Sequence, residues 1–357
     1  MDEFDLIKAY FAPLAKGFSG GLNLADDAAL IHVPSGSDLA VTTDAINRGV
    51  HFVGNEDPAL IARKLLRVNL SDLAAMGATP LCYFLTLMLP PLSSPSPAGG
   101  TEGGWNHWLK RFAEGLREDQ SLFGIRLAGG DTSATKEGMS FSVTALGGVA
   151  AGRALRRSGA RPGDAIYLSG TLGDGALGLL RRLRPGASPG RGSRANGERS
   201  PARRRLAGDD ALFLEQRYLL PQPRLELGQK LIGVASACMD VSDGLVQDLG
   251  HICEVSGVGA TIQRDKLPLS DPARKLIEAD KNLWDFVLGG GDDYELLFTA
   301  PPEKEMLIRG LSAELELPLT AIGNITEGAE VEVLDATGKS LIVAHKGFRH
   351  FHNRHTT

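Results

Sequence analysis

The sequence predicts an α/β (α+β) protein built from two domains. The chain has 357 residues, of which 43% are hydrophobic and 23% charged, a composition typical of a globular protein long enough for two cores. The chain contains segments with the alternating apolar residues or β-branched residues of strands. It also contains segments whose apolar residues recur at helical spacing. The stretch 150–162 lies between two strand-like runs, and we place the domain border there. We expect an N-terminal domain over residues 1–150 and a C-terminal domain over residues 151–357.

The N-terminal domain contains a strand pattern followed by a long helical pattern. Leu39–Thr43 alternates and is rich in β-branched residues, which predicts a strand. Asp57 suits the N-cap of a helix, Pro58 suits its first position, and apolar residues recur at helical spacing until Gly77. A further strand is predicted over Phe141–Leu146.

The C-terminal domain begins with a predicted strand, turn and helix. The strand is Ala165–Ser169, the glycine-rich turn is Gly170–Gly175, and the helix is Ala176–Leu183. A helix N-terminus presents free amides to an anion, so this unit is a candidate phosphate contact, although such turns also occur without a ligand. A later helix contains Leu245, and Ser242 is its predicted cap.

Two segments are predicted to be surface loops, because they are rich in proline, serine and glycine. They are Pro90–Gly104 and Pro185–Gly208. Nine arginines and one glutamate lie between Arg181 and Arg205, a surplus of eight positive charges. Such a block is typical of a disordered surface insertion, and binding to RNA or to a membrane surface is the alternative.

The overall charge and the cysteines exclude several protein classes. A net charge of -5 argues against a general nucleic-acid binder, which would carry a basic surplus. The three cysteines, Cys82, Cys238 and Cys253, have no Cys-x-x-Cys spacing, so we expect core residues and neither a disulfide framework nor a zinc site. The apolar run Leu81–Leu89 is far shorter than the about 20 residues of a membrane span. We expect a cytoplasmic protein without a membrane partner.

Aspartates in apolar or glycine-rich surroundings indicate a metal and phosphate site. A lone carboxylate is costly to desolvate, so each should be solvated, capped, paired or bound to a cation. The segments are 25–28, 42–44, 69–72, 129–132, 240–244, Asp248 and 289–295. Oxygen ligands without ligand-spaced cysteine or histidine favour magnesium over zinc. For Asp72, on the apolar stripe of the predicted helix, an ion pair with arginine or lysine is the alternative.

Six of these motifs, in order over nearly the whole chain, resemble the thiamine-monophosphate kinase family. They are Asp26-Asp27-Ala28, Thr43-Asp44, Asn69-Leu70-Ser71-Asp72-Leu73-Ala74-Ala75-Met76-Gly77-Ala78, Gly129-Gly130-Asp131-Thr132, Asp240-Val241-Ser242-Asp243-Gly244-Leu245 and Asp293-Tyr294-Glu295-Leu296. The long block from Asn69 and the block from Asp293 are specific, whereas the Gly-Gly-Asp is weak alone. The chain departs from the family pattern at Ala25, where a glycine is usual, and at Asp292, where a glutamate is usual.

The resemblance implies the two-domain fold of aminoimidazole ribonucleotide synthetase. Its N-terminal sheet domain would bind metal and ATP and would pair with the same sheet of a second subunit in a homodimer, and its C-terminal domain would be α+β. The implied activity is a step of thiamine biosynthesis, the ATP-dependent phosphorylation of thiamine monophosphate to thiamine diphosphate. The γ-phosphate would be transferred directly with the help of several magnesium ions and without a protein nucleophile.

The resemblance also assigns roles to individual residues. The implied metal ligands are Asp27, Thr42, Thr43, Asp44, Asp72, Asp131, Asp240 and Asp243. The implied ATP contacts are Gly130, Asp131, Arg157 and Ser242. The implied contacts with thiamine phosphate are His51, Asp292 and Phe348. Without the family pattern, His51 would be a structural histidine, Arg157 part of a solvated face and Phe348 a core residue.

Two other functions remain open at this point. Another enzyme of the superfamily is one of them: a selenophosphate synthetase would need a reactive cysteine near the amino terminus, and a hydrogenase-maturation dehydratase a carboxyl-terminal cysteine. The earliest cysteine is Cys82, and the chain ends without one. The other function is a nucleotide-binding regulator without turnover, which the departures at Ala25 and Asp292 suggest.

Overall fold

The structure is a computed structural model that describes residues 3–91, 104–136, 138–183 and 208–348. The predicted loop Pro185–Gly208 lies outside the described residues except for Gly208, and the predicted loop Pro90–Gly104 lies outside them except at its two ends.

The described residues form helices and strands along the whole chain. The helices are α1 (Glu3–Leu6), α2 (Ala12–Ala15), α3 (Pro58–Ala75), α4 (Gly104–Phe123), α5 (Asp174–Leu183), α6 (Gly208–Leu219), α7 (Leu225–Lys230), α8 (Leu245–Ser256), α9 (Asp271–Ala279), α10 (Trp284–Gly289) and α11 (Glu305–Glu314). The strands are β1 (Ser37–Asn47), β2 (Thr79–Leu89), β3 (Arg126–Ala134), β4 (Ser140–Ala150), β5 (Ala165–Ser169), β6 (Ala237–Asp240), β7 (Gly259–Gln263), β8 (Leu296–Ala300), β9 (Leu319–Thr326), β10 (Val331–Leu334) and β11 (Ser340–Leu341). The predicted strands over Leu39–Thr43, Phe141–Leu146 and Ala165–Ser169 lie within β1, β4 and β5 and are confirmed.

The chain divides into two compact units, which confirms the predicted fold class. One unit comprises residues 1–154 together with 223–232, and the other comprises residues 155–222 and 233–357. The first unit therefore includes α7, which comes from much later in the sequence. The metal-binding, ATP-binding and dimerisation roles expected for the N-terminal domain remain predictions.

The N-terminal unit is a sheet covered by two long helices. Within the described residues the sheet has four strands in the order β1-β4-β2-β3, antiparallel except for the parallel pair β2 and β3. Aromatic rings from α4 and β4 stack in the core, with the ring centres of Trp108 and Phe141 5.7 Å apart. Buried leucines of α3, such as Leu66 and Leu70, complete this core.

The amino end of α3 is fixed by the residues that predict it. The Asp57 carboxylate accepts a hydrogen bond from the Ala59 N–H at 3.0 Å, and Pro58 occupies the first helical position. The helix ends at Ala75, and Gly77 follows with a φ of 69°. Since left-handed backbone favours glycine, both predicted limits of this helix are confirmed.

The C-terminal unit is built on a second mixed sheet. Its described strands run in the order β11-β10-β7-β9-β5-β8-β6, and β10 and β7 are the parallel neighbours among them. Helix α8 packs against this sheet through apolar residues that include Leu249 and Ile252. Its amino end therefore lies at a fixed position close to the end of β6, where the Asp240–Leu245 motif lies.

The three cysteines are free and buried, as predicted for core residues. In the part of the chain that the structure describes, no helix is both long enough and apolar enough to cross a bilayer.

Candidate functional site

In the N-terminal unit, β1 and α3 bring two predicted metal ligands into contact. The Thr42 hydroxyl donates a hydrogen bond to the Asp72 carboxylate, with 2.5 Å between Oγ1 and Oδ2. Side chains alternate across a strand, so Thr42 and Asp44 lie on the same face of β1. Asp72, predicted to lie on the apolar stripe of α3, is half-buried and contacts β1 through Thr42.

Thr43 lies on the opposite face of β1. Its hydroxyl donates to the Val143 carbonyl at 3.2 Å and accepts a hydrogen bond from the Thr144 hydroxyl at 3.1 Å, both on β4. The structure therefore separates the Thr43 hydroxyl from the pair formed by Thr42 and Asp72.

Asn69 belongs to this region, although sequence reasoning gave it no role. Its Oδ1 accepts the Asp44 N–H at 3.0 Å, and its Nδ2 donates to the Leu65 carbonyl at 2.9 Å. The side chain is fully buried. Asparagine is unfavourable inside a helix unless it has such partners, and that was the available signal. Asn69 holds the β1 backbone at Asp44 against α3.

Gly130 and Asp131 lie on β3, at the opposite edge of the sheet from Asp44. The register places Asp131 beside Thr86, Thr86 beside Ser142, and Ser142 beside Ala45. Three inter-strand spacings amount to about 14 Å along the sheet. Within this unit the structure does not bring Asp131 to Asp44. Asp131 is exposed, and its Oδ2 accepts a hydrogen bond from the Ser133 hydroxyl at 2.9 Å.

Asp27 and His51 occupy loops of the same unit. Asp27 is exposed in the segment between a short 3-10 helix, Ser19–Leu24, and β1. His51 Nδ1 accepts the Asn47 N–H at 3.1 Å, so its neutral ring carries the proton on Nε2.

In the C-terminal unit, a buried carboxylate organises the turn before α8. The backbone N–H groups of Ser242, Asp243 and Gly244 donate to Oδ2 of Asp248 at 3.1, 3.2 and 3.0 Å. Burial raises the pKa of Asp248 to about 7. The prediction that Ser242 caps α8 is wrong: Gly244 holds the N-cap position, and the Asp248 side chain satisfies the amides of the turn.

Asp292 lies beside this turn in an unusual backbone conformation. Its φ is 61°, and its N–H donates to the Ser242 carbonyl at 2.9 Å. The Tyr294 N–H donates to the Val241 carbonyl at 2.8 Å. A Cβ at Gly291 would lie 2.2 Å from the Ser242 carbonyl oxygen, so the close approach of the two segments requires glycine there.

The segment that ends at Phe348 packs against the same turn. The Phe348 N–H donates to the Asp243 carbonyl at 3.0 Å. Gln247 donates through Nε2 to Asp243 Oδ2 at 3.0 Å and to the Phe348 carbonyl at 3.2 Å. Gln247 is a residue that sequence reasoning missed, and its place one helical turn after Asp243 was the available signal. Ser242, Asp243, Asp292 and Phe348 thus converge at the amino end of α8.

Asp240 lies near these four residues, whereas the backbone of Arg157 lies at the other end of α8. Asp240 is buried at the last position of β6, two residues before Ser242. Arg157 is exposed, and its carbonyl accepts a hydrogen bond from the Ser256 hydroxyl at the carboxyl end of α8. The length of α8 separates that point from Ser242 by about 16 Å. The structure therefore brings Asp240 to the convergence and leaves the Arg157 backbone away from it.

The predicted phosphate contact at the Gly170–Gly175 turn is wrong, because an internal carboxylate occupies its amides. The Gly173 N–H donates to Asp293 Oδ2 at 2.8 Å, and the Gly175 N–H donates to Oδ1 at 3.0 Å. Asp293 thus takes the position at the amino end of α5 that an anionic ligand would take.

The chemistry of the predicted metal ligands fits magnesium in kind, since all of them supply oxygen. Among the described residues, however, no three aspartate, glutamate, histidine or cysteine side chains form a group that could hold a metal ion. Two of the predicted ligands, Thr42 and Asp72, are in direct contact through their side chains. The complete ligand set remains a prediction.

Comparisons with known proteins agree along almost the full chain. Residues 25–149 match the family model "AIR synthase related protein, N-terminal domain", and residues 161–336 match "AIR synthase related protein, C-terminal domain". A thiamine-monophosphate kinase of Salmonella typhimurium is 38% identical over 355 residues, which cover 98% of each chain. The crystal structure of thiamine-monophosphate kinase from Stenotrophomonas maltophilia is 40% identical with a TM-score of 0.74, and the match covers 89% of this chain and 90% of that one.

A second solved structure carries ligands. AaThiL complexed with AMPPCP and TMP is 32% identical to this chain with a TM-score of 0.71, and the match covers 98% of this chain and 97% of that one. Both domains, the motif order and these full-length similarities lead to one assignment: the chain belongs to the thiamine-monophosphate kinase family of AIR synthase-related proteins.

Proposed function

We propose that the chain transfers the γ-phosphate of ATP to thiamine monophosphate, forming thiamine diphosphate and ADP. A phosphate oxygen of thiamine monophosphate attacks the γ-phosphorus, and the bond from that phosphorus to the β,γ-bridging oxygen breaks. The observation that carries this proposal is that Ser242, Asp243, Asp292 and Phe348 lie together at the amino end of α8. A solved structure 32% identical to this chain is complexed with AMPPCP and TMP. The acceptor oxygen is already largely ionised at neutral pH, so no strong general base is required.

The chain's own residues contribute orientation and charge. We propose that Mg²⁺ is held by Asp27, Thr42, Thr43, Asp44, Asp72, Asp131, Asp240 and Asp243, that Gly130, Asp131, Arg157 and Ser242 contact ATP, and that His51, Asp292 and Phe348 contact thiamine phosphate. When bound, magnesium neutralises the repulsion between the two phosphate groups. Asn69 fixes the backbone of Asp44, and Asp248 fixes the backbone of Ser242 and Asp243. Positioning of this kind is the main contribution of a protein to phosphoryl transfer.

We further propose a homodimer formed through the outer face of the N-terminal sheet. Val41 of β1 is 59% exposed, and Phe84 and Met88 of β2 are half-exposed on a described sheet whose opposite face packs on helices. An apolar sheet face of this kind is stabilised when a second sheet covers it. The ATP requirement and the three free cysteines favour a cytoplasmic location.

A direct product assay tests the activity. Purified protein is incubated with ATP, magnesium and thiamine monophosphate, and thiamine diphosphate is measured by chromatography. We expect stoichiometric formation of thiamine diphosphate and ADP. Calorimetric binding of ATP without any diphosphate formed would instead support a nucleotide-binding regulator and would contradict the kinase proposal.

A further inference from the structure

The C-terminal unit contains a buried group of ionisable side chains for which the proposed reaction has no use. Asp174 and Glu295 are fully buried, and Asp293 is 2% exposed. Arg217 of α6 lies among them: its Nη2 donates to Glu295 Oε1 at 2.8 Å, and its Nε lies 3.7 Å from Asp174 Oδ2. Hydroxyl groups satisfy other carboxylate oxygens, as in the contact of 2.6 Å from Ser169 to Glu295. Burying so many ionisable groups is costly, so the arrangement calls for an explanation beyond packing.

Asp293 is the member of this group that directly follows Asp292, the proposed contact of thiamine phosphate. Its two carboxylate oxygens accept the Gly173 and Gly175 N–H groups at the amino end of α5. The chain on either side of it has left-handed backbone, with φ of 61° at Asp292 and 52° at Tyr294. Side chains other than glycine adopt this conformation only when the surrounding structure holds them in it.

The backbone of the loop also contacts α5 directly. A Cβ at Gly175 would lie 2.1 Å from the Asp292 carbonyl oxygen, so nothing larger than hydrogen fits between them. The Asp292 and Tyr294 N–H groups are bound to the Ser242 and Val241 carbonyls on the other side. Asp293 therefore anchors the segment 292–294 to α5. On the other side, Val241 and Ser242, which follow β6, hold the same segment.

We propose that Asp293 is a positioning residue, which holds Asp292 in the conformation that contacts thiamine phosphate. This inference rests on the proposed function. Asp293 itself does not touch the substrate, because both of its oxygens are turned toward α5. Arg217 supports it indirectly by balancing the neighbouring carboxylates.

The first test compares Asp293→Asn and Asp293→Ala with the wild type. Asn keeps one of the two acceptors and Ala keeps neither, so we expect the KM for thiamine phosphate to rise about tenfold in Asn and further in Ala. The KM for ATP should change less than about twofold, and the melting temperature should fall less in Asn, which keeps one of the two buried hydrogen bonds, than in Ala, which keeps neither. A purely structural role would lower stability without separating the two KM values.

The second test uses a matched pair of glycines in α5. Gly175→Ala places a methyl group against Asp292, whereas Gly178→Ala places one 2.1 Å from the Leu214 carbonyl oxygen of α6, away from the loop. Both variants disturb helix packing, but only Gly175→Ala should raise the KM for thiamine phosphate selectively. This comparison decides the matter if the Asp293 variants do not fold.

The outcomes separate the two proposals. If the wild type forms no thiamine diphosphate, the proposed function and this inference both fall. If the wild type is active and neither Asp293→Asn nor Gly175→Ala changes the KM for thiamine phosphate relative to that for ATP, only the positioning role is overturned.

Discussion

At the scale of single residues, most of the candidate site is held by side chains that do not themselves carry the proposed chemistry. Asn69 binds the backbone of Asp44, Asp248 binds three amides of the turn before α8, and Gln247 links Asp243 to Phe348. Hydrogen bonds to buried groups are costly to lose, so these residues fix the positions of their neighbours. Orientation by such contacts accounts for much of the catalysis expected from an enzyme without a nucleophile.

Asp72→Asn should lower kcat by about 100-fold or more with little change in the free energy of unfolding. The substitution keeps the size of the side chain and its acceptor for Thr42 but removes a charge from the proposed metal site. Steady-state kinetics and denaturant titration measure the two quantities. Asp38→Asn, at an exposed carboxylate of the same strand, serves as the control and should stay near wild type. Wild-type kcat in the Asp72 variant would contradict its role as a ligand.

Asn69→Ala should lower the free energy of unfolding by about 1–3 kcal/mol, because a buried side chain that accepts the Asp44 N–H is lost. Activity should also fall in the folded variant. Urea unfolding curves measure the first effect, with Asn324→Ala at an exposed position of β9 as a control. An unchanged stability would show that the contact contributes nothing measurable.

Asp293 should make stability depend on pH. Burial, and then the neighbouring Asp174, raise the pKa of Asp293 from 3.8 to about 8, while Glu295 and Arg217 complete its charged surroundings. The folded state thus holds a proton that the unfolded state releases near pH 4. Its contribution to stability is present at low pH and is lost as pH rises through about 8. Unfolding curves between pH 4 and 9 should show a steeper fall for wild type than for Asp293→Asn; parallel curves would contradict the shift.

At the scale of elements, α3 is the connection between local sequence signals and the site. Asp57 and Pro58 start the helix, its leucines pack in the core, and Asn69 and Asp72 lie on the side that meets β1. An ion pair of 2.7 Å between Arg111 of α4 and Asp57 adds a tertiary contact to the cap. The start of this helix therefore determines where the Asp72 carboxylate lies.

Asp57→Ala should destabilise the N-terminal unit by about 1 kcal/mol through loss of the cap, with a small addition from the exposed ion pair. The Michaelis constants should not change, because Asp72 lies several turns away. Thermal unfolding followed by circular dichroism measures the effect. Asp57→Ser, which retains a capping oxygen, should recover most of the loss, and equal destabilisation in both variants would argue against capping.

The elements that the sequence predicts best are those with local causes. The cap at Asp57, the stop at Gly77 and the strand Ala165–Ser169 depend on residues close in the chain. The predicted cap at Ser242 failed because Asp248, four residues into α8, reaches back to the turn. The predicted phosphate contact failed because Asp293 comes from more than a hundred residues later.

At the scale of the whole molecule, the outer face of the N-terminal sheet is the surface that the proposed homodimer needs. Sequence motifs indicate such pairing by resemblance, but only the structure shows that Val41 is exposed on this face, while Phe18 and Ile31 pack over another part of it. Likewise, the separation of Asp131 from Asp44 follows from the strand order and is invisible in the sequence.

Val41→Lys should shift the protein toward monomer, because a charge on this face would be desolvated in the dimer. Light scattering coupled to size-exclusion chromatography measures the mass. Met306→Lys, at an exposed apolar residue of α11 in the C-terminal unit, is the control and should leave the mass unchanged. A wild-type protein that is monomeric, or a Val41 variant with the wild-type mass, would contradict the proposed interface.

Helix α7 belongs to the N-terminal unit although it comes from later in the sequence, and this determines where the protein can be divided into fragments. A Cβ at Gly228 would lie 1.9 Å from the Ala74 carbonyl oxygen, so α7 is seated directly on the end of α3. A fragment that stops at residue 154 loses this partner. The complementary fragment then carries α7 without α3, and Leu227 of α7 and Leu231 just after it, both buried in the whole protein, would be exposed. Bisection at the sequence border should therefore yield two aggregation-prone pieces, whereas an N-terminal piece supplied with residues 223–232 through a linker should remain soluble.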